Sequence, residues 1–174
     1  MPEPAGSRRQ ARERALSLLY EAESKDVTPA AVLAALPVKP DAFAIEVVTG
    51  VGLHMDELDT WISGYAKDWT IERMPALDRA LLRMGIFELL HRPDVPTGAV
   101  ISEAVELAQR FSTDESSRFV NGMLARIAEV SRAGGGEPPL NSGGEAVDPE
   151  AVGADPAEDH QPPAGEVVED RLHQ

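Results

Sequence analysis

The chain has 174 residues, a formal charge of -14, no cysteine and 43% hydrophobic residues. The length suits one core-forming domain with a tail, and the missing cysteine excludes disulfides and thiolate metal sites. The start, MPEPAGSRRQ, has basic residues with no apolar run behind them, and no run approaches the ~18 apolar residues of a membrane helix, so the expectation is a soluble cytoplasmic protein.

After a flexible start over residues 1–6, the first helix is expected from Ser7 to Glu23. Ala11, Ala15, Leu18, Leu19 and Ala22 recur there at three and four. A short helix follows near Thr28-Pro29, with Pro at its first position. From Asp41 to about Trp69, Ala44, Val47, Val51, Met55, Leu58, Ile62 and Tyr65 keep helical spacing. Unbroken, that segment would be roughly 40 Å long. Gly50 and Gly52 either bend it or admit a neighbouring helix.

Pro75 opens a strongly apolar helix, Ala76 to Leu90, with little polar face. Such a helix belongs at the centre of a fold. Another runs from Thr97 to Phe111. Ser112-Thr-Asp-Glu115 has the form of a capping box and opens a last helix carrying Phe119, Val120, Met123, Leu124 and Ile127. The fold class is all-α, a compact bundle of about six or seven helices.

Composition changes after Arg132. Residues 133–174 hold 10 acidic residues against one arginine, and Gly and Pro together number 13. A segment of that kind, without aromatics, is expected to be a disordered acidic tail. It carries -9 of the total charge, leaving -5 for residues 1–132. It either solubilises the chain or competes with an anionic ligand for the basic face.

No catalytic constellation is present. His54 precedes Asp56 and Glu57 without HExxH spacing and reads as a solvated surface histidine. Gly50-Val-Gly52 lacks a third glycine at dinucleotide-binding spacing. Asp56/Asp59 and Glu103/Glu106 read as solvent-facing charges. Neither an enzyme nor a metal or cofactor site is expected. The first helix, in contrast, opens with Arg8, Arg9, Arg12 and Arg14, against the helix dipole. Arg9, Arg12, Leu16 and Tyr20 flank one side of its apolar stripe, and Tyr20 lies about 16 Å beyond Arg9. Arginines for phosphates and a ring for a base suit a single-stranded RNA. The alternative is a helix end whose arginines pair with Glu13 or with neighbouring helices.

Three segments together resemble the NusB family of bacterial transcription antitermination factors: RRQARERALSLLYEAE (8–23), PALDRALLRMGIFELLHRPDVP (75–96) and VISEAVELAQRFSTDESSRFVNGMLARI (100–127). The run Arg118-Phe119-Val120-Asn121-Gly122 is the most specific. The resemblance covers about residues 7–132 and implies two packed subdomains, the first ending near Trp69. It implies binding of boxA RNA from ribosomal RNA transcripts together with NusE, joined by NusA, NusG and RNA polymerase, and no catalysis. It places the RNA surface on Arg8, Arg9, Arg12, Arg14, Tyr20, Arg79, Arg83, Arg118 and Phe119. It associates Asp78 and Glu115 with the NusE partner. From the residues alone, Asp78 is equally a first-turn acid favoured by the dipole, Phe119 shares helix spacing with Met123 and Ile127 and leans towards the core, and Arg83 either reaches a rim or pairs with a carboxylate. A protein-binding helical adaptor, or a homodimer that hides its basic helix, is the competing reading.

Overall fold

The computed structural model describes residues 5–66, 69–134 and 136–139, with nothing said of the side chains of 5–7 and 134. The expected tail over 133–174 lies almost wholly outside the described residues, as do residues 1–4 of the flexible start. Within them the chain forms seven α-helices and no strand. These are α1 (Ala5–Ser24), α2 (Pro29–Ala35), α3 (Ala42–Leu53), α4 (Met55–Tyr65), α5 (Ala76–His91), α6 (Thr97–Phe111) and α7 (Asp114–Gly134). A single 3-10 turn, Ile71–Arg73, leads into α5.

Local chemistry accounts for most of the boundaries. Asp26 stops α1 by taking a left-handed backbone, φ 53°, while the Val27 N–H reaches back to the Ala22 carbonyl at 2.9 Å. Thr28 caps α2 by accepting from the Ala31 N–H at 3.1 Å, with Pro29 in the first turn. Asp41 caps α3 by accepting from the Phe43 N–H at 2.8 Å. The cap of α7 is Thr113, whose hydroxyl accepts from the Ser116 N–H at 3.1 Å. That corrects the capping box expected from Ser112 to Glu115 by one residue. Ser112 instead turns its hydroxyl to Asp78.

The long helix expected from Asp41 to Trp69 is two helices. His54 leaves the helical conformation at φ -108°, ψ 18°, closing α3 and opening α4. The pattern did not show this break because the apolar stripe continues across it. Gly50 serves close approach. A Cβ there would lie 2.1 Å from Cζ of Phe87 on α5. Gly85 does the same from the other side, where a Cβ would meet Leu124 Cδ1 of α7 at 2.7 Å.

These contacts place α5 at the centre, as its composition requires. Ala80, Leu81, Leu82, Met84, Ile86, Phe87 and Leu89 are all buried. Helices α1–α4 and helices α6–α7 pack around it as two subdomains sharing one continuous apolar core, with α4 also touching α7. Arg132 of α7 ties off the end of α5. Its guanidinium donates to the carbonyls of Glu88, Leu89, Arg92 and Val95 at 2.7 to 3.2 Å. Carbonyls at a helix end have spare accepting capacity, and a cation there also suits the dipole.

Gly50→Ala tests the close approach. The added methyl has to displace the Phe87 ring, and overpacking of this kind costs about 1–3 kcal/mol. Urea unfolding should register that loss. An unchanged midpoint would show that the ring moves freely.

Candidate nucleic-acid interface

Neighbouring arginines on a helix diverge by ~100° per residue, so the four on α1 reach different surroundings. Arg12 turns inward and is 5% exposed. Its Nε and Nη2 donate to both oxygens of Glu88 on α5, at 2.9 and 2.6 Å. Arg8 sets its guanidinium 5.3 Å from the Phe43 ring centroid and 4.0 Å from Asp94. Arg12 and Arg92 stand at 5.0 and 5.2 Å from the same ring, within cation–π range. Hydrogen bonds from Arg92 hold the Asp94 carboxyl below its ordinary pKa. The expectation that Arg12 belongs to an exposed basic row is corrected. It is a buried ion-pair partner joining α1 to α5.

Arg9 faces solvent. It donates to both oxygens of Glu103 at 3.1 and 2.9 Å and pairs with Glu106 at 2.9 Å. The hydrogen bond to Glu103, and then the charges of Glu103 and Glu106, raise its pKa. These two acids of α6 are therefore not the idle solvent-facing charges expected. Arg14 is exposed and has no ion pair among the described residues.

Tyr20 is 46% exposed at the far end of α1. It borders an open groove of about 770 Å³ with Leu16, Leu77, Phe111 and Thr113. Phe111 is 47% exposed, and the Arg110 guanidinium stands 5.0 Å over its ring while pairing with Glu13 at 2.8 Å. The α1–α6 seam thus presents Arg9, Arg110, Tyr20 and Phe111. Arg110 and Phe111 were missed in the sequence. The signal was there, since an apolar ring beside arginine at a helix end fits a rim as well as a core.

The remaining expected positions divide by burial. Arg79 pairs with Glu23 and donates to the carbonyls of Ile71 and Met74 at 2.5 and 3.0 Å. Burial, then the charge of Arg83, lowers its pKa. Arg83 donates to both oxygens of Asp59 at 2.7 and 2.9 Å and reaches Glu23 at 3.4 Å. Both arginines are structural clamps from α5 to the first subdomain, so Asp59 also loses its reading as a solvent-facing charge. Arg118 is exposed and has partners of its own.

Phe119 is buried and meets Trp69 edge-on at 5.1 Å, in keeping with the core spacing it shares with Met123 and Ile127 rather than with the RNA contact the resemblance implies. Asp78 is 2% exposed and accepts from the hydroxyls of Ser112 and Ser116 at 3.0 and 2.8 Å. Its observed role is internal, fixing the α6–α7 turn on α5. Glu115 is exposed. His54 is part-exposed at the surface, as expected, and sits within a cluster with Glu57 and His91.

Comparison with known proteins bears on the fold and the family. The NusB family profile matches residues 9–129. Transcription antitermination protein NusB of Kineococcus radiotolerans is 48% identical over 128 residues, covering 71% of this chain and 94% of the relative. The solved T. maritima NusB superposes with a TM-score of 0.65 at 32% identity, covering 74% of this chain and 93% of that one. A crystal structure of antitermination factors NusB and NusE in complex with dsRNA superposes at 0.62, with 25% identity and coverage of 72% and 98%.

Arg12→Ala leaves the Glu88 carboxylate buried without its partner and should cost about 3–5 kcal/mol in urea unfolding. Arg12→Met combined with Glu88→Leu should recover most of that loss. A single variant as stable as the parent would remove Arg12 from the scaffold.

Proposed function

The chain belongs to the NusB family, and on that premise we propose that it is a non-catalytic, cytoplasmic antitermination factor. It binds boxA RNA of ribosomal RNA transcripts together with NusE and promotes processive transcription and ribosomal RNA maturation. The wider complex includes NusA, NusG and RNA polymerase. Residues 7–132 form the working domain, and 133–174 an acidic tail.

The observation that carries this reading is the solvent-facing seam of α1 and α6, where guanidinium groups and exposed rings lie along one surface. Arg9 and Arg14, with Arg110, are the cations able to reach phosphates without dismantling the core. Tyr20 and Phe111 offer ring faces for bases. Arg118 and Glu115 extend the surface at the start of α7. Arg8, Arg12, Arg79 and Arg83 act through positioning, since each holds a helix against another. No helix of the described residues is long and apolar enough to cross a membrane.

Arg9 contacts carboxylates that RNA phosphates would have to displace. Binding therefore exchanges Glu103 and Glu106 for phosphate at the same guanidinium. Fluorescence anisotropy with a boxA-type RNA, with and without NusE, tests the reading across a salt series. Binding that falls steeply with salt and tightens with NusE is expected. Binding in neither condition would favour a protein-only adaptor or a homodimer.

Two sets of variants localise the surface. Arg9→Ala with Tyr20→Ala should weaken binding by tenfold or more, since a stacked base alone contributes about 1–3 kcal/mol, with helix content unchanged. Glu103→Gln with Glu106→Gln should tighten it. RNA affinity indifferent to both sets would move the interface off this seam.

A further inference from the structure

Away from the seam, three side chains converge at the other end of α5. His54 Nδ1 lies 3.0 Å from Glu57 Oε2. His91 Nε2 lies 3.0 Å from the same oxygen. All three candidate donor atoms fall within 4.8 Å of one another. The two imidazole rings stack with centroids 4.0 Å apart, and Phe87 lies beside both, at 6.2 and 5.4 Å. The cluster is part-exposed, with side-chain exposures of 39%, 44% and 30% for His54, Glu57 and His91.

We infer that His54, Glu57 and His91 form a binding site for a divalent first-row transition ion of the zinc type. Two nitrogens and one carboxylate oxygen are the borderline donor set such ions select. Ligand distances of about 2.0–2.1 Å around a tetrahedral ion put neighbouring donors roughly 3.3 Å apart, so the two 3.0 Å separations need to open by only a fraction of an ångström. The open side of the cluster leaves room for water as a fourth ligand.

The helices around the site favour a cation as well. His54 is the C-cap of α3, and His91 lies in the last turn of α5. Two negative dipole ends therefore meet at the imidazoles, while the positive end of α4, which His54 also caps, is offset by Glu57 in its first turn. The ligands come from both subdomains, two from the α3–α4 junction and one from α5. A bound ion would fasten the break at His54 to the central helix, adding to the His54–His91 stack and the Glu57–His91 contact already there.

Isothermal titration of the full, chelator-stripped chain with Zn2+ tests the site. One equivalent should bind, and zinc should raise the melting temperature. The tail holds the only other histidines, His160 and His173, so His160→Gln with His173→Gln is the control and should bind like the parent. His54→Gln and His91→Gln should each weaken binding by tenfold or more. Their metal-free melting curves establish that they fold. Co2+ absorption of the parent gives a readout independent of any variant, and should show the intense bands of a four- or five-coordinate ion. No saturable zinc binding, a weak octahedral cobalt spectrum, or zinc affinity lost in the tail variant and kept in His54→Gln and His91→Gln would each overturn the assignment.

Discussion

A helix apolar on almost every face has to be wrapped on every face, and α5 imposes that requirement on the whole chain. Its buried leucines, isoleucine and phenylalanine need partners from both subdomains. Apolar contact is non-directional, so it fixes that α5 is covered but not by which helix or in what register. The polar groups of α5 settle that. Glu88 accepts the two donors of Arg12, which seats α1. Asp78 accepts the hydroxyls of Ser112 and Ser116, which seats the α6–α7 turn. Arg83 grips Asp59, which seats α4. A misplaced helix would leave a charge buried without a partner, at a cost of several kcal/mol.

The same arrangement divides the arginines of α1 into two kinds. Arg12 meets Glu88 near the end of α5, and Glu23 meets Arg79 near its start. The two helices are therefore antiparallel, and one face of α1 is committed to the core. Arg9 lies three residues before Arg12 and points at the edge shared with α6. The arginine-rich opening that runs against the helix dipole thus has a structural use as well as a surface one. Its unfavourable position is offset by carboxylates brought from α5 and α6.

Helix periodicity was legible throughout because it depends on spacing alone. Six helical segments, the central place of α5 and the proline start of α2 could all be read from the chain. The break at His54 could not, since apolar residues keep their stripe across it and only the backbone departs. Nor could Arg12 be told from Arg9. Both border the same stripe, and what separates them is a carboxylate 76 positions away. The partners of Phe119 and Asp78 were hidden for a related reason. A buried aromatic and an exposed one look alike in sequence, and a first-turn acid gives no sign of two serine hydroxyls arriving from another helix. The histidine cluster was hidden because His91 is 34 positions from Glu57.

Charge frames what the seam is able to do. The chain carries -14 overall, so a polyanion gains nothing from it at long range. Screening confines each charge to about 8 Å at physiological salt, and within that distance the acids beside Arg9 and Arg110 cancel much of their field. Under the proposed function, an RNA would gain from this surface only at contact, by replacing carboxylates with phosphates and laying bases on Tyr20 and Phe111. Contact-limited binding of that sort is weak for one small protein and grows when a second chain adds cations to the same strand. On this reading the partner is a physical necessity, because the seam supplies orientation and stacking while much of its own positive charge is already taken.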